Sequence, residues 1–153
     1  MSDEQNVNED DNSRDEKMPS LNHSYTCFQL MRQLMGNENI YPLPELTLDI
    51  ANGVTPDISV FPKEHISPNF FNDIIKFRQA PVLAIEVISP TQSIQAMLEK
   101  ARMLVSGGVK AVWTVEPFGH NVFVITGDSE KLFHNEPVEN EGIKVDFSDI
   151  FRI

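Results

Sequence analysis

The feature that most constrains the fold is an apolar strand with a carboxylate in its middle, in the stretch APVLAIEVISPTQS from Ala80 to Ser93. Apolar residues surround Glu86 on both sides, as in a strand that is covered on both faces. Carboxylates are rarely buried unless another group pairs with them. The sequence therefore predicts a partner for Glu86, either in a salt bridge or in a functional site.

The segments around this strand predict alternating helices and strands. After it, TQSIQAMLEKARMLVSGGV places its apolar residues on one helical stripe and ends at Gly107-Gly108, which predicts a helix. KAVWTVEP, NVFVITG and KLFHN predict further strands. Before it, apolar spacings of three and four predict an amphipathic helix over residues 24–35.

The segment between the first helix and the apolar strand is harder to interpret. Alternation around Asn52-Gly53 predicts an antiparallel hairpin of strands 45–50 and 56–61. Residues 69–79 suggest a short helix laid across a sheet edge. The whole order predicts an α/β (α+β) fold, with a mixed sheet flanked by helices.

Length and composition predict one domain with an acidic tail. With 153 residues the chain can build one core but hardly two, so residues 21–153 are expected to form a single domain. Residues 1–20 are acidic and almost without apolar side chains, and we expect a disordered tail there. Neither a secretory signal nor an apolar run of roughly 20 residues is recognisable, so we expect a cytoplasmic protein without membrane contact.

Charge and cysteine content limit the chemistry. The net charge of −11 means that any contact with nucleic acid must be local, because affinity for phosphates comes from Lys and Arg.

Cys27 is the only cysteine, which excludes an intramolecular disulfide and a cysteine-rich zinc site. Its aromatic and apolar neighbours predict a buried, inert thiol.

Asp57, Glu86 and Lys100 are the candidate functional residues. Asp57 opens one predicted strand and Glu86 lies near the end of the next long one, so neighbouring strands would supply two hard oxygen ligands for Mg²⁺ or Mn²⁺. Lys100 lies at the flank of the apolar stripe of the following helix, where its stem can pack and its ammonium can reach back to the sheet. Two acids, a metal and a lysine form a workable site for phosphodiester hydrolysis.

These residues lie in blocks that resemble a known family. TPDISVF, PVLAIEVISPTQS, a lysine fourteen positions after Glu86, and SGGVKAVWTVEP are similar to the Uma2 (DUF820) group of endonuclease-like proteins in the PD-(D/E)XK superfamily. The resemblance covers about residues 44–124. It implies an αβββαβ nuclease core in which Asp57 and Glu86 bind the metal. It also implies that Lys100 replaces the usual lysine two positions after the glutamate, where this chain has Ile88.

The chain also departs from the pattern of that family. Ala96 stands where an acid usually precedes the helix lysine by four positions, and Glu116 stands where an aspartate is usual. The first predicted helix carries Gln29 and Gln33 but no acid that could complete the site, although Glu38 or Glu45 could substitute.

The first hypothesis for the function is a Mg²⁺- or Mn²⁺-dependent DNA endonuclease, for which a homodimer is a natural way to cut both strands. The second is a catalytically inactive nuclease fold that serves as a binding or interaction module.

Each candidate residue also has a purely structural interpretation. Glu86 could pair with Lys100 or Arg102, or cap the next helix, and Asp57 could serve the turn after Pro56. Ser89 could hydrogen-bond a metal-bound water or cap the helix. The remaining predictions concern a core tryptophan and exposed histidines without ligand spacing: Trp113, His65, His120 and His134.

Overall fold

The computed structural model describes Met18 and residues 20–152, so the predicted tail over residues 1–20 lies outside the described residues apart from Met18 and Ser20. The helices are α1 (Leu21–Leu34), α2 (Ile94–Ser106) and α3 (Phe147–Ile150), with one 3₁₀ turn at Lys63–His65. The strands are β1 (Ile40–Pro44), β2 (Ile58–Pro62), β3 (Leu83–Val87), β4 (Ala111–Glu116), β5 (Asn121–Thr126), β6 (Glu130–His134), β7 (Pro137–Asn140) and β8 (Ile143–Asp146). No helix among these residues is long and apolar enough to cross a membrane.

The main sheet has six strands in the order of the chain, β1 to β6. Only β3 and β4 are parallel, and all other neighbours are antiparallel. Parallel neighbours need a crossover connection, and α2 supplies it. A separate hairpin is formed by β7 and β8. The predicted α+β class, a mixed sheet flanked by helices, is confirmed.

Each face of the sheet carries its own apolar core. One core lies under α1, the β7–β8 hairpin and α3, and it includes Leu83, Ile85 and Val87 of β3. The other lies under α2 and includes Ala84. Because side chains alternate along a strand, Glu86 shares the α2 face with Ala84, next to Thr114 of β4. This placement explains how a carboxylate fits inside an apolar strand, since it faces the helix that carries Lys100.

Helix α1 begins three residues earlier than predicted because Ser20 caps it. The Ser20 hydroxyl accepts a hydrogen bond from the backbone N–H of His23 at 3.2 Å. At the other end, the Gln33 side chain exchanges two hydrogen bonds with the backbone of Asp146, at 2.8 and 3.0 Å. These contacts fix both the start of α1 and its position against the sheet.

The predicted hairpin of strands 45–50 and 56–61 is wrong in its first strand. The partner of β2 is β1, which the sequence hides because it contains two prolines. Prolines are tolerated there because β1 is an edge strand that needs hydrogen bonds on one side only. The turn at Asn52 and Gly53 does form, with φ of 69° and 119°, but it closes a single bridge between Leu48 and Val54.

The predicted helix over residues 69–79 is also wrong. Side chains satisfy backbone N–H groups locally: Asn69 accepts from the Phe71 N–H at 3.0 Å, and Asp73 accepts from the Ile74 N–H at 2.8 Å. Such bonds compete with helical ones, and the segment forms turns instead.

In contrast, the helix predicted after the central strand is confirmed as α2. Its N-cap is Ser93, which accepts from the Ala96 N–H at 2.9 Å, so the predicted capping role of Ser89 is wrong.

Candidate functional site

The start of β2, the centre of β3 and the middle of α2 meet at one place in the molecule. Asp57 lies immediately before β2, Glu86 lies in β3, and Lys100 lies on α2. The Asp57 backbone N–H donates to Glu86 Oε1 at 3.2 Å, and Lys100 Nζ forms an ion pair with Glu86 Oε2. The three residues named from the sequence thus form one connected cluster.

Asp57 is held between a helix and a strand. Its Oδ2 accepts a hydrogen bond from the Val87 backbone N–H at 2.8 Å and lies 3.2 Å from His23 Nε2. The residue is 4% exposed, and it lines a cavity under α1. The Val87 N–H and the contact with His23 hold this oxygen in place.

Glu86 is a buried carboxylate with opposing charges beside it. Its pKa is raised from 4.5 to about 7: burial raises it most, the Lys100 ammonium lowers it, and the negative charge of Asp57 raises it. The residue is 3% exposed. At neutral pH, Glu86 therefore exchanges readily between its protonated and ionised forms.

Lys100 is the cation of the cluster and its most accessible member. Its side chain is 30% exposed, and its ammonium pairs with Glu86. Helix α2 packs against this face of the sheet, which places Lys100 near Glu86. Arg102, the other predicted partner of Glu86, instead forms two hydrogen bonds with Glu130, at 2.7 and 3.0 Å. The salt-bridge interpretation of Glu86 therefore involves Lys100 and not Arg102.

The cluster has the charge and donor set that a divalent cation requires. Asp57 and Glu86 offer hard carboxylate oxygens, which Mg²⁺ and Mn²⁺ prefer. When both are ionised, the ammonium of Lys100 balances one of their two negative charges. A bound cation would add positive charge beside two buried acids, which is favourable.

Three buried hydroxyl groups lie on elements that surround the cluster. Ser59, Ser89 and Thr114 are fully buried, and their hydroxyl oxygens have no hydrogen-bond partner among the described residues. Thr114 is the register neighbour of Glu86 in β4. Ser89 follows β3, at the place where a contact to a metal-bound water was predicted. These hydroxyls add polar groups to an otherwise apolar environment.

His23 belongs to the cluster although it is not among the candidate residues named from the sequence. This histidine on α1 is 5% exposed and contacts Asp57, which makes it part of the cluster. The feature of the sequence that could have pointed to His23 is its position four residues before Cys27, since residues at that spacing share one face of a helix. Cys27 is half-buried rather than fully buried, and it lines the cavity under α1 together with His23 and Asp57.

The structure separates the two acids that could complete the site. Glu45 lines the same cavity as Asp57, and its backbone N–H donates to the Asp57 carbonyl oxygen at 3.1 Å. Glu38 is exposed and lines a different cavity beside Lys63. Glu45 is therefore the acid that belongs to the neighbourhood of Asp57.

The other named residues lie elsewhere. Trp113 is fully buried, as predicted, and its indole N–H donates to Asn140 Oδ1 at 2.7 Å. His65 and His134 are exposed, in agreement with the prediction. His120 is half-buried and stacks on Phe151 at 4.8 Å between ring centroids, so the prediction of full exposure is wrong for this residue.

Comparison with known proteins concerns the family and the fold of the chain. The model of the family Uma2, described as "Putative restriction endonuclease", matches residues 12–152. A crystal structure described as a "putative nuclease belonging to DUF820" from Anabaena variabilis superimposes with a TM-score of 0.76 at 22% identity, over 89% of this chain and 83% of that chain. A DrdV–DNA complex aligns with a TM-score of 0.46 at 16% identity, over 80% of this chain and 10% of that chain. No match was found among curated proteins. The first structure confirms the predicted nuclease-like fold.

Proposed function

Since the chain belongs to the Uma2 family of restriction-endonuclease-like proteins, we propose that it is a Mg²⁺- or Mn²⁺-dependent endonuclease that hydrolyses DNA phosphodiester bonds. The observation that carries this proposal is that Glu86 accepts a hydrogen bond from the Asp57 backbone N–H and forms an ion pair with Lys100. In this proposal, Asp57 and Glu86 hold the cation and Lys100 acts on the reacting groups.

The residues have separate tasks. A bound cation would neutralise charge on the scissile phosphate and make a bound water more acidic. Asp57 is fixed by its two hydrogen-bond contacts, so it offers a ligand that needs no reorganisation. Glu86 must give up its proton to act as a ligand, and its pKa of about 7 makes this possible near neutral pH. The Lys100 ammonium would then be available to orient the attacking water or to stabilise charge on the phosphate.

The charge of the protein limits how DNA would be held. With a net charge of −11, most of the surface repels phosphates, so contact would be confined to the neighbourhood of Lys100 and the cation. Binding should therefore be weak in the absence of the cation. A requirement for the metal in binding as well as in cleavage would support this view.

A plasmid nicking assay with Mn²⁺ tests the proposal. Lys100→Met removes the charge at the cluster, and Lys110→Met removes the same charge from an exposed position that lines another cavity. We expect Lys100→Met to reduce the nicking rate about 100-fold, comparable to the loss of one stabilising donor in other hydrolases, and Lys110→Met to have little effect. Equal rates for the two variants, or no nicking by the wild-type protein, would overturn the proposal.

The second candidate function is a nuclease fold that has lost catalysis and serves as a binding module. The burial of both carboxylates, 4% and 3% exposed, and Ala96 in place of an acid favour it. In that case Glu86 and Lys100 form a structural ion pair. The nicking assay separates the candidates, because a binding module leaves the plasmid supercoiled at every Mn²⁺ concentration.

A further inference from the structure

The residues His23, Cys27 and Asp57 form a second group of metal-ligating side chains beside the proposed catalytic cluster. One ligand atom from each residue lies within 4.8 Å of the other two. His23 and Cys27 come from α1, and Asp57 comes from the start of β2. We call these three residues the α1 triad.

The backbone presents the triad in a fixed geometry. His23 and Cys27 are four residues apart and share one face of α1, a spacing that also occurs in helical zinc sites. The Ser20 cap holds the backbone N–H of His23 at 3.2 Å, and the Val87 N–H holds Asp57 Oδ2 at 2.8 Å. Two of the three ligands are therefore positioned before any ion binds.

The distances match a tetrahedral transition-metal site. Two N or O ligands that lie 2.0–2.1 Å from one tetrahedral Zn²⁺ are about 3.3 Å apart, and His23 Nε2 lies 3.2 Å from Asp57 Oδ2. A thiolate and an imidazole on the same ion are about 3.6 Å apart. The Cys27 sulfur lies up to about 1.2 Å farther from a neighbouring ligand atom than such a site requires, and rotation of this half-buried side chain can shorten the distance.

We propose that the α1 triad binds a transition-metal ion of the Zn²⁺ class, with water from the adjoining cavity in the fourth position. A thiolate and an imidazole favour Zn²⁺ and Co²⁺ over Mg²⁺ and Ca²⁺, which prefer oxygen ligands. The cavity has a volume of about 380 Å³ and is lined by all three residues, so the ion has a path from solvent. The site goes beyond the proposed nuclease function and does not depend on phosphodiester hydrolysis.

Binding of the ion requires that its ligands lose protons and that their charges compensate the charge of the ion. His23 Nε2 lies 3.2 Å from Asp57 Oδ2, so a proton carried on Nε2 must move to Nδ1 or to solvent before Nε2 can bind the metal. Nδ1 has no hydrogen-bond partner among the described residues, so the change breaks no bond there. The Cys27 thiol releases its proton to solvent. The thiolate and the Asp57 carboxylate then compensate the two positive charges of the ion.

Asp57 belongs to both the α1 triad and the proposed catalytic cluster. An ion in the triad must therefore change the affinity of Asp57 and Glu86 for a second cation, by the reciprocity of linked equilibria. The proposal concerns binding alone, and its test needs neither DNA nor catalysis.

Titration of the full-length protein with Co²⁺ tests the triad, because a cobalt–thiolate bond gives a charge-transfer absorption and Cys27 is the only cysteine. We expect the wild-type protein to develop this band at one equivalent of Co²⁺, to lose it on addition of Zn²⁺, and to keep it in excess Mg²⁺. His23→Gln should weaken Co²⁺ binding at least about 10-fold, as even the loss of groups that orient a metal ligand does. Glu86→Gln should retain the band, which separates this site from the catalytic cluster.

A second measurement, of the reactivity of the thiol, keeps the proposal testable if a variant folds poorly. Reaction of the single thiol of the wild-type protein with a disulfide reagent should slow when Zn²⁺ is present, and in His23→Gln much of this protection should disappear. The absence of the cobalt–thiolate band, or protection by Zn²⁺ that is equal in both proteins, would overturn the proposal. A control variant, His134→Gln, removes an exposed histidine outside the triad and should behave as the wild-type protein does.

Discussion

Replacing Glu86 by glutamine should stabilise the protein more at high pH than at low pH. The folded state holds the pKa of Glu86 at about 7, mainly through burial, whereas 4.5 is its ordinary value. Between these two values the folded state binds more protons than the unfolded state. The free energy of unfolding of the wild-type protein therefore falls as the pH rises through this window. Glutamine cannot ionise and so does not contribute to this loss.

The raised pKa sets the size of the effect. The change from 4.5 to about 7 corresponds to about 3 kcal/mol over the whole window, at about 1.4 kcal/mol for each pH unit. Of this total, about 2 kcal/mol falls between about pH 5.5 and about pH 8.5. Titrating groups distant from Glu86 contribute equally to both proteins, so their effects cancel in the difference between the wild type and Glu86→Gln.

Urea unfolding at these two pH values, without divalent cations, measures the difference. Glu99 on the same helix is the matched control, because the same substitution there removes an exposed carboxylate. Glu86→Gln should gain about 2 kcal/mol relative to the wild type as the pH rises, and Glu99→Gln should gain much less. An equal gain for the two variants, or a constant offset for Glu86→Gln, would refute the argument that burial destabilises the ionised form of Glu86.

Three further changes test the packing that positions the cluster. Gly107→Ala places a Cβ 2.7 Å from a methyl group of Ile50 and should cost about 1–3 kcal/mol in urea unfolding, whereas Gly127→Ala meets nothing within 4 Å and should be nearly neutral. Ser93→Ala removes the N-cap of α2 and should cost about 1 kcal/mol in the same measurement. Trp113→Phe leaves a cavity and removes the indole hydrogen bond, so thermal unfolding monitored by circular dichroism should show a loss of about 2 kcal/mol.

The periodic parts of the fold could be predicted from the sequence. The stripe of α2 and the apolar run of β3 are long enough for their patterns to be decisive. Apart from β2, the region between α1 and β3 could not be predicted, because β1 contains prolines and Leu48 makes isolated bridges to Val54 and Phe77 instead of belonging to a strand. Contacts of that kind depend on tertiary packing rather than on local pattern.

The candidate site could be predicted in part. Asp57, Glu86 and Lys100 were recognisable because blocks of sequence surround them in a fixed order. His23 was not, because its contact with Asp57 joins residues 34 positions apart, and its spacing of four residues from Cys27 does not indicate that contact. The cavity that connects Cys27 to Asp57 likewise arises from the packing of α1 over the start of β2.

The central claim is that Asp57 and Glu86 together bind a divalent cation. Calorimetric titration with Mn²⁺ tests it most directly, in a Cys27→Ser background that removes the thiolate of the α1 triad. We expect one bound Mn²⁺ in this background, with binding lost when either Asp57→Asn or Glu86→Gln is added. Equal Mn²⁺ binding by all three proteins, or no binding by any of them, would show that Asp57 and Glu86 do not hold the cation together.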